Sequence, residues 1–132
     1  MRQAYAILFL CILAGCVKKK EENLVVNAMV NGQWKVTNFN KGGTDVTTDF
    51  ANYKFQFKSN FTVDAINNGT IEKTGSWDAD AAAQTISSSF SSATNPLLLL
   101  NGTWKITNNS WTWVEASQTV NGELFNLRLD KQ

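Results

Sequence analysis

The sequence predicts an all-β protein and, within that class, an antiparallel up-and-down β-barrel of about eight strands. From residue 24 onward no segment keeps the apolar period of a helix, whereas several alternate apolar and polar residues as half-buried strands do. Asn, Thr and Ser make up 37 of the 132 residues, a composition that disfavours helix interiors and suits strands and turns. Because closure removes the two exposed edges of such a meander, we expect a barrel. A two-sheet β-sandwich is the alternative.

The N-terminus has the pattern of a targeting segment. Arg2 precedes an apolar stretch over residues 4–14, which is too short to span a bilayer as a permanent helix. The stretch ends in Leu-Ala-Gly-Cys at residues 13–16. This tetrad resembles the bacterial lipobox, and the resemblance implies that residues 1–15 are a lipoprotein signal peptide and that the thiol of Cys16 accepts a diacylglycerol. The alternatives are an ordinary secretory signal and a buried N-terminal helix with an incidental Cys.

The segment after Cys16 is predicted to be a solvated tether. Six of the residues in 17–23 are polar, five of them charged, and none has anything to bury. We therefore expect a lipidated Cys and charged tether over residues 16–27, and the folded domain over residues 28–132. Lys20-Glu21-Glu22 also resembles the surface-export signal of some Gram-negative lipoproteins, and a spacer without a sorting role is equally open. The expected location is the cell envelope, lipid-anchored at the outer membrane, on its periplasmic or its outer face.

The first strands of the folded domain are predicted from alternation. Trp34 and Val36 share one face of the first strand, and a glycine-rich turn follows it. The apolar residues that alternate along the next two strands are Tyr53, Phe55, Phe57, Phe61, Val63 and Ala65. Pairing Phe57 with Phe61 keeps all six on one face and leaves a three-residue loop with Asn60 in its left-handed position.

The middle of the chain is predicted to hold two further strands and a plug. Asn-Asn-Gly at residues 67–69 turns the chain into a strand that reaches Trp77. The alanines at 81–83 indicate a loop or one helical turn, and a weaker strand follows over residues 86–90. Pro96 excludes a central strand in the next segment, so we expect the leucines at 97–100 to fill one end of the core.

The next hairpin is predicted around the Asn108-Asn109 pair. Asn tolerates positive φ at both central positions of a two-residue turn. Such a turn pairs Ile106 with Trp111 and Trp104 with Trp113. These four side chains would then face the barrel interior together with Trp34.

The last hairpin conflicts with that register. A two-residue turn at Asn121-Gly122 pairs Trp113 with Asp130 and Val114 with Leu129. Trp113 and the apolar residues of the last strand would then point to opposite faces. A bulge near residues 115–117 would restore the agreement.

Two short motifs resemble one protein family. Gly32-Gln33-Trp34 on the first predicted strand matches the Gly-x-Trp signature of lipocalins, and the strand at residues 102–106 is similar to one in the small lipocalin-like domains of Gram-negative bacteria. The resemblance implies a barrel in which an Arg near the end of the chain packs over that Trp. Arg128 is the one Arg after residue 15, so Trp34 and Arg128 are the expected barrel-closure pair. A surface Arg128 that pairs with Glu115 is the alternative.

The composition argues against catalysis. The chain has no His, its two Cys lie at positions 11 and 16, and its net charge is +1. His-based proton transfer and Cys-rich metal sites are therefore excluded, and no basic field exists to attract nucleic acid. We expect a protein that is not an enzyme, without metal or cofactor.

The aromatic content predicts a binding protein. We expect a small apolar ligand inside the barrel, with the membrane as a partner through the N-terminal lipid. The expected ligand-lining residues are Tyr53, Phe55, Phe57, Trp77, Trp104, Trp111 and Trp113. The alternative is a structural or interaction lipoprotein with a filled barrel and a binding surface on its loops. A cavity above about 300 Å³ favours the first function, and a packed interior with an exposed aromatic patch favours the second.

Overall fold

The structure, a computed structural model, describes residues 24–132 and contains one antiparallel sheet. The predicted signal peptide, Cys16 and the tether up to residue 23 lie outside the described residues. Residues 24–30 form a helix, α1. The strands are β1 (Trp34–Lys41), β2 (Thr44–Asp45), β3 (Tyr53–Phe57), β4 (Thr62–Asn67), β5 (Thr70–Asp80), β6 (Thr85–Ser89), β7 (Gly102–Asn109), β8 (Trp113–Val120) and β9 (Glu123–Lys131). Two 3₁₀ helices, η1 (Thr47–Phe50) and η2 (Leu97–Leu100), complete the fold.

The sheet closes on itself through β1. Consecutive strands from β3 to β9 are hydrogen-bonded neighbours, and β1 pairs with both β3 and β9. On the β9 side, Trp34 lies opposite Lys131 and Lys41 opposite Phe125, so the contact runs the length of β1. The short β2 pairs with the end of β1 alone and is an extra strand. The predicted eight-stranded barrel is therefore confirmed, and the sandwich alternative is wrong.

Each end of the barrel is covered by a short helical segment. Antiparallel neighbours place α1 and the β3–β4, β5–β6 and β7–β8 loops at one end, which we call the helix end, and η1 and η2 at the other. The Trp of Gly32-Gln33-Trp34 and the Trp of a second Gly-x-Trp, Gly102-Thr103-Trp104, each form a hydrogen bond with such a segment. Trp34 Nε1 donates to the carbonyl of Met29 (2.8 Å), and Trp104 Nε1 donates to that of Leu100 (2.9 Å). In the described part of the chain, no helix has the length and apolarity that a membrane crossing requires.

Aromatic rings fill the interior. Phe39 stacks on Phe50 with ring centroids 5.4 Å apart, and meets the edge of Trp104 at 5.8 Å. As predicted, part of the leucine segment closes the far end, since Leu97 and Leu100 are buried. Large side chains that meet at these distances leave little free volume.

The β3–β4 hairpin has the predicted faces but another register. Phe57 lies opposite Val63 rather than Phe61, so the pairing is displaced by two residues and five of the six predicted side chains stay inward. The inward position predicted for Phe61 is wrong, because Phe61 lies in the loop and is 43% exposed. The left-handed position falls on Phe61 (φ 65°), not on Asn60. The reason is local, because Asn60 Oδ1 accepts the Thr62 backbone N–H (3.1 Å) and holds Asn60 inside the turn.

The predicted β7–β8 turn is wrong. Asn108 and Asn109 belong to β7, Asn109 lies opposite Val114, and Ser110 N–H donates to the Trp113 carbonyl (2.8 Å). An irregularity between Ile106 and Asn108 shifts the register further. As a result, Val114 and Ala116 point inward, and the indoles of Trp111 in the loop and Trp113 on β8 do not.

The β8–β9 hairpin keeps the strict two-residue turn. Val120 lies opposite Glu123 and Trp113 opposite Asp130, without a bulge near residues 115–117. The predicted registers of the two hairpins conflict, and the conflict disappears because the β7–β8 hairpin has a different register from the predicted one. The inward positions of β8 hold small side chains, because Trp104 and Phe125 already occupy that part of the barrel, with ring centroids 6.4 Å apart.

Asp64 is the one charged residue buried among those described, at 3% exposure. Lys58 Nζ lies 2.7 Å from one carboxylate oxygen, and Thr74 Oγ1 donates to the other (2.7 Å). These two partners, Lys58 first, hold the pKa of Asp64 below its ordinary value. A carboxyl group with a lowered pKa stabilises the fold above its unfolded-state pKa, and this contribution is lost as the pH falls through the folded-state pKa.

We therefore expect Asp64→Asn to lower the free energy of unfolding at pH 7 by about 1–2 kcal/mol, toward the lower end because Lys58 stays half-exposed. The difference from the parent protein should shrink below about pH 4, where the unfolded carboxyl group becomes protonated. Urea unfolding of both proteins from pH 7 to pH 3 measures this difference in the free energy of unfolding. A difference that stays constant over this range would contradict the assignment.

Candidate functional site

The barrel interior contains a small cavity. Its volume is about 50 Å³, room for one or two water molecules. Phe55, Phe57 and Trp104 line it from the strands, and Met29 lines it from α1. The volume lies far below the range of ligand pockets, so the interior is close to filled.

A second, larger space lies outside the cavity, between α1 and the ends of β7 and β8. We call it the helix groove, and its volume is about 260 Å³. Its apolar lining residues are Leu24, Val25, Ala28, Met29, Ile86, Ile106, Trp111 and Val114. Two polar residues, Asn109 and Ser110, lie at its edge with the β7–β8 loop. The groove is thus an apolar slot with one polar side.

The cavity and the helix groove share part of their walls. Met29, Ile86 and Val114 line both. Met29 is buried, and its carbonyl accepts the Trp34 indole N–H, so α1 is pinned across the barrel mouth. A shift of the Met29 side chain would therefore join the two spaces.

This site offers burial of apolar surface. Among residues 24–132, those that line the cavity or the helix groove carry no titratable side chain. An apolar ligand in the groove would be stabilised by about 25 cal/mol for each Å² of apolar surface removed from water. The Asn109 amide and the Ser110 hydroxyl offer hydrogen bonds to a single polar group of that ligand.

Four of the predicted ligand-lining residues reach these spaces. Phe55, Phe57 and Trp104 line the cavity, and Trp111 lines the helix groove. The predicted interior position of Trp111 is wrong, because the β7–β8 register leaves it 59% exposed. Ile106, predicted inside with it, is only partly buried and also lines the groove.

Tyr53 and Trp77 are core residues outside both spaces. Tyr53 packs on Phe55 and donates its hydroxyl to Glu72 (2.8 Å), and burial followed by this carboxylate raises the pKa of the phenol. Trp77 packs against Phe57 and donates its indole N–H to the Lys58 carbonyl (2.9 Å). Both side chains stabilise the barrel wall.

The predicted barrel-closure pair is wrong. Arg128 lies over Trp113 (4.6 Å from Cζ to the ring centroid), and Lys131 Nζ lies over Trp34 at 5.2 Å. The cause is the β8 register, which puts Trp113 on the outer face beside Arg128 and removes it from the interior. Arg128 does lie opposite Glu115, as the alternative proposed, but its ion pair is with Asp130 (2.9 Å), whose pKa it lowers.

Sequence reasoning missed the contribution of α1 to the site. Leu24, Val25, Ala28 and Met29 recur at the spacing of one helix face, and this was the available signal. Because a run of charged residues precedes the segment, the sequence predicts most of it as tether. Seven residues make about two turns, too few for the period to stand out.

Comparisons with known proteins show the fold alone. No protein-family model and no curated protein matches the sequence. A protein of the DUF4847 family from Bacteroides vulgatus has a similar structure, with a TM-score of 0.58 and 15% identity over 82% of this chain and 99% of that one. A lipocalin-like protein from Bacteroides uniformis is also similar, with a TM-score of 0.56 and 15% identity over 78% of this chain and 98% of that one. The chain therefore has the lipocalin-like fold, a closed eight-stranded antiparallel barrel with one extra strand.

Proposed function

We propose that the protein is a lipid-anchored, lipocalin-like protein of the cell envelope that binds a small, largely apolar ligand and is not an enzyme. The ligand site is the helix groove, not the barrel interior. The observation that carries this proposal is the continuous apolar wall from the cavity to the groove through Met29, Ile86 and Val114. Anchoring through Cys16, at the outer membrane, is supported by the lipobox-like tetrad at residues 13–16.

The volumes decide between groove and interior. A ligand of even a few carbon atoms does not fit in about 50 Å³. The helix groove offers about 260 Å³ before any side chain moves, just below the range of ligand pockets, so a ligand has to displace a side chain to be fully enclosed. The long, unbranched Met29 side chain adapts its shape easily, so a ligand in the groove gains depth by displacing it. We therefore expect a ligand with one apolar chain or ring system and one polar group.

Filling the groove should abolish binding. We expect fatty acids, retinoids or haem-like compounds, titrated into residues 17–132, to change the Trp emission saturably, since Trp111 borders the groove. Ala28→Phe should weaken this binding at least about tenfold, equal to 1.4 kcal/mol, because the ring occupies the ligand volume. Ala82→Phe is the matched control, since Ala82 is exposed in the β5–β6 turn outside the groove.

Two outcomes would contradict the proposal. Saturable binding that Ala28→Phe leaves unchanged would place the ligand elsewhere. No saturable change with any of these compounds would leave the second candidate function, an interaction lipoprotein with a filled barrel. That candidate is favoured by the small interior volume and by the exposure of Trp111 on a loop.

A further inference from the structure

Large apolar side chains are exposed at the helix end of the barrel. Trp111 is 59% exposed in the β7–β8 loop, and Leu24 is 43% exposed at the start of the described chain. Both border the helix groove, so they lie beside each other. Phe61, in the β3–β4 loop of the same end, is also exposed. An exposed indole next to aliphatic side chains is unfavourable in water and marks a contact surface.

The position of this surface along the chain identifies its occupant. Seven residues, 17–23, separate Cys16 from Leu24. Even fully extended, this length of chain spans no more than about 30 Å. For comparison, an eight-residue strand is about 26 Å long, and its tilt makes the barrel about 20 Å high. A lipid on Cys16 therefore keeps the helix end close to the bilayer.

We propose that the helix end of the barrel docks on the lipid bilayer, with Trp111 inserted at the interface beside Leu24. This proposal rests on the lipid anchoring of Cys16 proposed above. Trp prefers the headgroup level of a membrane, where its ring is buried and its N–H stays hydrated. In the sequence, three lysines and two glutamates at residues 18–22 separate Cys16 from Leu24, so this segment has a net charge of only +1 and the proposal rests on the apolar side chains.

Bilayer docking gives the helix groove a route for its ligand. The groove opens beside Trp111, so its mouth faces the membrane when Trp111 is inserted. An apolar ligand then passes between bilayer and groove without crossing water. The other end of the barrel also exposes apolar residues, among them Leu98 and Leu124, but the chain that leads to the lipid leaves from the helix end.

A depth measurement at the two ends tests this proposal. The mature lipidated protein is reconstituted in vesicles of phosphatidylethanolamine and phosphatidylglycerol, as Thr112→Cys or as Leu124→Cys, each labelled with a nitrobenzoxadiazole dye. Thr112 is exposed beside Trp111, and Leu124, 50% exposed at the far end, is the matched control. Brominated acyl chains should reduce the emission at position 112 about twofold, because an interfacial group lies about 5–10 Å into the boundary region. The emission at position 124 should not change.

Each other outcome contradicts either bilayer docking or the lipid anchoring of Cys16. Vesicle-bound protein with an unquenched label at 112, or with quenching at 124 instead, overturns bilayer docking and leaves the anchoring intact. A blue-shifted but unquenched label at 112 identifies a protein occupant, a second copy included, and likewise overturns it. A chain without lipid mass that does not float with the vesicles overturns the anchoring itself, and bilayer docking with it.

Discussion

Trp104→Ala should lower the free energy of unfolding by about 3–5 kcal/mol, the range for an aromatic residue removed from a packed core. Trp104 is buried on β7, and its ring contacts Phe39 (5.8 Å) and Phe125 (6.4 Å). Its indole N–H is also the donor to the Leu100 carbonyl, which the substitution leaves without this partner. The cavity beside it would grow by the volume of the lost ring.

Trp113→Ala is the comparison that makes this result diagnostic. Trp113 lies on the outer face of β8 under Arg128, so its removal costs a cation–π contact of about 0.5–1 kcal/mol and little core packing. Denaturant unfolding of residues 17–132 measures both variants. Equal losses of about 3–5 kcal/mol would return Trp113 to the interior and contradict the β7–β8 register.

Gly75→Ala should destabilise the barrel by about 1–3 kcal/mol, although it adds one methyl group. A Cβ at this position of β5 would lie 2.5 Å from the Ser89 carbonyl oxygen and 2.8 Å from the Phe90 ring. Neither neighbour yields easily. Phe90 is buried, and its backbone N–H and carbonyl are both hydrogen-bonded to the Asn101 side chain (2.7 and 3.2 Å).

Ser76→Ala is the control for Gly75→Ala. Ser76 is the next residue along β5 and is exposed, so we expect a change within about 0.5 kcal/mol. Thermal unfolding followed by circular dichroism compares the two variants. Similar midpoints for Gly75→Ala and the parent protein would show that β5 and the start of the β6–β7 connection are further apart than described.

The parts of the fold that the sequence predicts are those fixed by local chemistry. Asn68-Gly69 and Asn121-Gly122 both have positive φ at each residue, and both form the expected two-residue turns. Alternation with period two gave the correct faces for β3 and β4 even where the register differed, because a displacement by two residues preserves the face.

The parts that the sequence misses depend on the tertiary structure. Asn108 and Asn109 are good turn residues, yet they continue β7, because the pairing of β8 with β9 already commits Val114 and Ala116 to the interior. The volume of the small cavity is what remains of the barrel interior after large side chains have filled it, and no sequence pattern predicts so small a remainder. The helix groove exists because α1 lies against the barrel, and a segment of seven residues carries too weak a pattern to predict that contact.

If the ligand binds beneath α1, the Met29 methyl group must sense it. Met29 is the one methionine after residue 1, so its ¹³C-labelled methyl gives one native signal in residues 17–132. Met29 also lines both the cavity and the helix groove. We predict that its signal moves saturably on addition of the ligand that changes the Trp emission, with the same Kd. A Met29 signal that stays fixed while the Trp emission saturates would place the ligand away from α1, and the helix groove would not be the ligand site.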